Sequence, residues 1–309
     1  MSELAEFMRK EMVRGPIPDG IERLGEAIRQ RHPGAVSAIL LYGSCRRSVD
    51  VAEGLADLLV VVSSYRAAFG TGLLALFNQL LPPNVFYLET GPADRPLRCK
   101  YAVVSERQFA RRAESRSDHY FWARFCQPLR LVGGDDAAAA AIAGIRARCA
   151  TSFARRATPL LRQPADACSL WARAMALTYR CELRPEPPEN AERLIAHDPS
   201  YWQQLTKRLA TESPWLQTTG PDGYQTAAGP LRRASTRISW SLRMIAGKAF
   251  NLARLFKAAG TFTDGVDYIA WKIERHSGVR IEPTERMRRY PRLAIWGMAW
   301  RTWRQGGFR

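Results

Sequence analysis

The chain alternates between amphipathic and continuously apolar segments, and the spacing of those segments predicts its elements. Two amphipathic stretches open it, one helix over Glu3 to Arg14 and a second over Asp19 to Arg31, with Asp19 as a candidate cap and a stop before Pro33-Gly34. The pattern then becomes unbroken. Ala35 to Tyr42 is an apolar run ending at Gly43-Ser44, and Asp57-Leu-Leu-Val-Val-Val-Ser63 is a second run rich in β-branched residues. Runs of that length and composition predict strands buried on both faces. Between them Cys45 to Gly54 reads as a turn and short helix. Tyr65 to Leu81 predicts a helix, and Val85 to Glu89 and Leu97 to Ser105 predict two more strands. Helices are expected from Ser105 toward Arg116 and over His119 to Cys126, with Leu129 to Val132 as a short strand. From Asp135 an Ala-rich segment begins a mostly helical second half, broken by loops at Arg184-Pro-Glu-Pro-Pro188 and Thr219 to Pro230.

This order predicts an α/β (α+β) N-terminal domain over residues 1–134, a helical domain over 135–230 and a helical C-terminal region over 231–309. Length and composition agree, since 309 residues with 46% hydrophobic positions suffice for a sizeable core. No apolar run reaches the roughly 20 residues that a membrane-spanning helix needs, and Met1-Ser2-Glu3-Leu4 lacks a signal peptide's basic and apolar regions. Cys45, Cys99, Cys126, Cys149, Cys168 and Cys181 are scattered without a CxxC pair, which points to a reducing compartment and away from structural zinc.

Charge narrows the class of partner. The formal net charge of +17 calls for a polyanion: nucleic acid, nucleotide phosphates or an anionic membrane. Residues 231–309 hold 17 Lys and Arg against 5 Asp and Glu, so +12 of the total lies there, with five of the nine tryptophans. Within that region Ile295, Trp296, Trp300 and Trp303 fall near one helical face beside Arg292, Arg301 and Arg304, a pattern for lying in a membrane surface or docking on a core.

The candidate chemistry sits at the first two strands. In Leu41-Tyr42-Gly43-Ser44, glycine lets the backbone approach a phosphate, and a hydroxyl with the following amides can hold it. Asp57, opening the next strand, can bind Mg²⁺ bridging a triphosphate. This opening resembles the polymerase-β-type nucleotidyltransferases, except that Leu59 stands where a second carboxylate is usual. A second block, Lys100-Tyr101-Ala102-Val103-Val104-Ser105 and Tyr120-Phe-Trp-Ala-Arg124-Phe-Cys-Gln127-Pro128-Leu-Arg-Leu-Val132, resembles the mitochondrial-type phosphatidate cytidylyltransferase family (the translocator assembly and maintenance proteins). That family carries Lys-Tyr-Gly-Val-Ile/Val-Ser followed by Tyr-x-Ala-Gly-Arg-x-x-Lys-Pro-Val, and its first motif also lacks the second acid. Ala102 and Gln127 depart from it. Leu177-Thr-Tyr179-Arg-Cys-Glu182-Leu-Arg184 and Arg233-Ala-Ser235-Thr236-Arg237 are similar to two later family motifs.

The resemblance, that of a bacterial relative, implies a nucleotidyltransferase-like fold and transfer of CMP from CTP to phosphatidic acid. It implies Asp57 and Lys100 as catalytic residues and Gly43, Ser44, Lys100 and Arg124 as nucleotide contacts. Mg²⁺ is implied on Asp57 and Glu182, with Glu89 as a rival ligand, and the lipid phosphate on Tyr179, Arg184, Ser235, Thr236 and Arg237. Alternatives stay open at several of these: Arg124 as an internal salt bridge, Glu182 as a helix-end ion pair, Ser235 and Thr236 as helix caps. His276 near a helix end reads as structural rather than as a base. The expected location is cytoplasmic, peripheral on the inner face of the cytoplasmic membrane, with anionic lipid favoured over nucleic acid as the partner. Transfer to another lipid phosphate or small molecule, a nucleic-acid binder, and a non-catalytic relative are the competing functions.

Overall fold

A computed structural model describes residues 1–18, 20–46, 54–72, 75, 78–79, 83–92, 94–115, 117–161, 163–182, 187–261, 266, 281–290 and 297–298. In chain order its elements are α1 (Glu3–Val13), α2 (Ile21–Arg31), β1 (Val36–Tyr42), β2 (Ala56–Val62), α3 (Tyr65–Phe69), β3 (Asn84–Thr90), β4 (Leu97–Ser105), α4 (Glu106–Glu114), α5 (His119–Phe125), β5 (Arg130–Gly133) and α6 (Asp136–Ala157). There follow α7 (Ala167–Tyr179), α8 (Pro188–Ala196), α9 (Pro199–Glu212), β6 (Gln217–Thr219), β7 (Gly223–Gln225), α10 (Pro230–Thr261) and α11 (Glu285–Arg289). The protein is mixed α/β, 57% helical, so helices dominate around a mixed sheet.

Two compact units result, and they cut across the segments expected from sequence. One joins residues 1–16 to 106–253, the other 17–105 to 254–309. The segment 1–134 is therefore divided between them. The cause is visible at α1, whose Leu4 amide donates to Glu212 at the end of α9, 208 positions away.

In the unit holding residues 17–105, four strands lie in the order β3-β4-β2-β1. β2 and β4 run parallel and the outer pairs antiparallel. β1 and β2 are almost wholly buried, as their continuous apolar runs demand. α2 packs its Ile21, Leu24 and Ile28 face inward and opens at Gly20; Asp19, the cap expected from sequence, lies outside the described residues. Of the helix expected over Tyr65 to Leu81, α3 covers Tyr65–Phe69, where Gly70 with φ 68° takes the left-handed position that ends it; residues 75, 78 and 79 are again helical, and 73–74, 76–77 and 80–81 lie outside the described residues. Of Cys45 to Gly54, Ser44–Arg46 forms a 3-10 turn, and 47–53 lie outside the described residues.

A buried histidine pins this unit. His32 packs against Phe69, Phe86 and Tyr101. Its Nδ1 lies 3.2 Å from the Ala68 carbonyl, so Nδ1 carries the proton, and Nε2 accepts from the Tyr101 hydroxyl at 3.3 Å. Burial, ahead of the neighbouring Arg31 charge, pushes the His32 pKa below its ordinary value. The unfolded chain therefore binds this proton more readily, and stability is lost as pH falls through about 6.5. A melting midpoint several degrees lower at pH 5.5 than at pH 7.5 is expected, with a shallower slope in His32→Gln. An unchanged slope in that variant would assign the effect elsewhere.

The helical unit is built around Trp122, Phe153, Trp171 and Trp202. Asp118, Asp135, Asp166 and Asp198 each accept an amide hydrogen bond at a helix start, which explains where α5, α6, α7 and α9 begin. Trp171 donates its indole N–H to the Thr206 hydroxyl at 2.8 Å inside the core. Arg146 is fully buried on α6. Its guanidinium donates to the carbonyls of Phe125, Met8 and Gln127 at 3.2, 3.0 and 2.7 Å and to the Tyr201 hydroxyl at 3.2 Å. Thr219 to Pro230, expected as loop, contains a small hairpin between β6 and β7, turned at Gly220. α10 crosses the end of α7 closely: a Cβ on Gly247 would sit 2.8 Å from the Cys181 carbonyl. The six cysteines are free thiols. Among the described residues no helix is long and apolar enough to cross a membrane.

Candidate functional site

Strand register decides what meets at the sheet. Tyr42 pairs with Asp57, Asp57 with Lys100, and Lys100 with Tyr87, so these four form one row across β1, β2, β4 and β3. Residues paired in register project to the same face. Lys100 Nζ lies 3.2 Å from Asp57 Oδ1, and the two side chains keep 35% and 30% of their surface exposed. Oδ1 itself is buried and outside hydrogen-bond geometry, so the contact is an ion pair with acceptor capacity to spare.

Gly43 closes the site from the β1 side. Its φ is 77°, a left-handed conformation that L side chains rarely adopt, and a Cβ there would approach Asp57 Oδ2 to 3.2 Å. The glycine thus brings main chain against the carboxylate and leads into the Ser44–Arg46 turn. Gly43→Ala is expected to cost about 1–2 kcal/mol through the left-handed backbone alone and to displace the Asp57 carboxylate. Thermal melting checks the first effect, and a melt equal to the parent's would show that the turn relaxes freely.

Two rows further along β2, on the same face, Leu59 pairs with Leu40 and Ala102 and is buried. A carboxylate there would lie among apolar side chains, where ionisation is heavily penalised. Glu89, the rival metal ligand, is already engaged, accepting from Tyr87 Oη at 2.7 Å and Arg98 Nε at 3.0 Å. Burial, followed by the Glu89 hydrogen bond, pushes the Tyr87 phenol well above its ordinary pKa. Asp57 is therefore the carboxylate of this row. Among the described residues no three His, Cys, Asp or Glu side chains gather as a metal cluster. Mg²⁺ held with substrate phosphates needs only one or two carboxylates, and the spare, buried Oδ1 of Asp57 fits that role.

The other expected residues fall in the helical unit. Arg124 stacks its guanidinium 4.5 Å from the Tyr120 ring centroid. Tyr179 ends α7, and its carbonyl accepts from the Glu182 amide. Arg184 lies outside the described residues, as do His276 and all of the tail from Pro291 except residues 297–298. Ser235 and Thr236 do not cap a helix: α10 starts at Pro230, favoured at a first helical position, so both lie inside it and donate to the Arg232 carbonyl.

These two hydroxyls line a pocket that the sequence did not foretell. It has a volume of about 480 Å³ and is walled by Arg155 and Arg156 from α6 and by Arg232, Ser235, Thr236, Ser239 and Arg243 from α10. Arg237 lies outside this lining. Trp122 organises the cations, with Arg156 at 4.6 Å and Arg243 at 5.5 Å from its ring centroid, and Trp240 holds Arg243 from another side at 5.3 Å. Burial lowers the Arg243 pKa, a sign that its charge is only partly hydrated. Its traces in the sequence are Ser235 and Thr236, expected at a lipid phosphate from the resemblance, and the arginines of Arg155-Arg156 and at Arg232.

Compared with known proteins, the chain matches no family model and no curated protein sequence.

Proposed function

We propose that the protein is a nucleotidyltransferase of the phosphatidate cytidylyltransferase type, which transfers CMP from CTP to phosphatidic acid. The observation that carries this is the Gly43, Asp57 and Lys100 constellation: a left-handed glycine turn against a carboxylate, itself paired at 3.2 Å with a lysine on the adjacent parallel strand. Such a site can receive a triphosphate. The main chain at Gly43 and Ser44 would approach its oxygens, and Lys100 would exchange Asp57 for phosphate as the nucleotide arrives. Asp57 would then hold Mg²⁺, whose charge neutralises the phosphates and the leaving group. An oxygen of the acceptor phosphate forms the new bond to the α-phosphorus while the bond to the bridging oxygen breaks, releasing pyrophosphate. That acceptor is already ionised at neutral pH, so the site needs no strong base. The resemblance also implies Arg124 for the nucleotide, Glu182 for the metal, and Tyr179, Arg184, Ser235, Thr236 and Arg237 for the acceptor phosphate.

The test is the purified chain with labelled CTP and vesicles containing phosphatidic acid, with and without Mg²⁺. CDP-diacylglycerol and pyrophosphate in equal amounts, dependent on Mg²⁺, are expected. Pyrophosphate release with a different nucleotidylated product would overturn the acceptor, and no turnover of CTP would overturn the class.

A further inference from the structure

α10 carries two features that sequence motifs do not connect. The first is the arginine and hydroxyl pocket, whose described lining contains no carboxylate. The second is an apolar stripe turned outward. Leu231, Ile238, Leu242 and Ile245 are 89%, 62%, 62% and 66% exposed, which is exceptional for large aliphatic side chains on one helix. At roughly 100° per residue these four fall within about 60° of arc, and the pocket-lining positions occupy the adjoining arc. Ser235 lies between the two arcs, so the pocket borders the stripe.

We infer that this half of α10 is an interfacial lipid site: it rests on an anionic bilayer, the four aliphatic side chains enter the acyl boundary, and the arginine pocket takes a lipid phosphate. The chemistry distinguishes this occupant from others. A phosphate-tracking nucleic-acid surface needs cations, hydrogen-bonding groups or stacking rings, not a row of exposed leucine and isoleucine. The junction of a phosphate layer with hydrocarbon needs both features side by side. Charge is complementary too, since residues 231–309 carry a net +12. The pocket is prepared for an anion, because Trp122 and Trp240 already hold Arg156 and Arg243 in place. The membrane surface expected from sequence lay at the Trp-rich tail; this one is α10 itself, and it borrows from the proposed function only the identity of the lipid.

Flotation of the full chain, without nucleotide, on phosphatidylcholine vesicles with and without phosphatidic acid tests it. Binding is expected only with the acidic lipid. Ile238→Ser with Leu242→Ser should lower the bound fraction by at least about tenfold, as two exposed aliphatic side chains leave the boundary. Arg156→Gln with Arg243→Gln should do the same, and Arg232→Gln, on the exposed start of the helix, should weaken binding several-fold without disturbing the tryptophan stack. If the serine variant floats like the parent while millimolar inorganic phosphate protects the protein against heat, the pocket serves a soluble anion and the bilayer assignment falls. Equal binding to neutral vesicles would also overturn it. Because nucleotide is absent, vesicle binding and CMP transfer can succeed or fail separately.

Discussion

Replacing Arg146 with methionine is expected to lower the unfolding midpoint of the helical unit by about 10 °C. Methionine fills much of the same volume, so packing is nearly preserved and the loss is polar. The carbonyls of Phe125 and Gln127 would lose the Arg146 donor, and that of Met8 would keep only its bond within α1. Each buried orphan costs about 1–3 kcal/mol. Relief from burying a charge offsets part of this, and a net loss of about 3 kcal/mol remains. Tyr201 would keep its bond to the Cys126 carbonyl, so the damage centres on the three carbonyls. Arg146→Lys should not rescue, because one ammonium cannot reach three carbonyls on separate segments as a planar fork does. A melt within about 2 °C of the parent would mean that water or rearranged main chain supplies the missing donors.

Asp57→Asn is expected to reduce CMP transfer by at least about 100-fold with little change in melting. The amide preserves shape and removes the charge that would hold the metal. Lys100→Met should fall by a similar factor, and the double variant by little more than either alone, because residues acting as one unit give non-additive losses. Activity that survives Asp57→Asn unchanged would show the metal assignment to be wrong. A collapse of the melt in the same variant would instead assign the 3.2 Å pair a structural duty.

The sheet was legible because its strands are written as uninterrupted apolar runs. Leu97 to Ser105 matches β4 residue for residue, and Ala35 to Tyr42 is one residue from β1. The places of Gly43, Asp57 and Lys100 in the sheet were legible as well, since Gly43 follows β1, Asp57 stands near the start of β2 and Lys100 is a charge inside β4. Helix ends set by a single glycine were harder, as at Gly70, where the apolar pattern continues past the break. The arginine pocket was hidden for another reason: Arg156 and Arg243 meet across 87 positions of sequence, and neither stands out on a helix already rich in arginine. Arg146 was invisible altogether. In an Ala-rich helix it looks like a solvated charge, and only the convergence of Met8, Phe125, Gln127 and Tyr201 shows otherwise.

The discontinuous helical unit imposes an order of events on synthesis. α1 is translated well before its partner Glu212, which follows some 200 residues later. At about 5–20 residues per second that is a delay of roughly 10–40 s. Meanwhile β1 to β4 have emerged, although the unit that holds them also takes residues 254–309, which are translated after the helical unit's own segments. The apolar side of α1, Leu4, Phe7, Met8 and Met12, thus waits first for α6 and then for α9 before its burial is complete. During that interval α1 is a segment that a chaperone would hold.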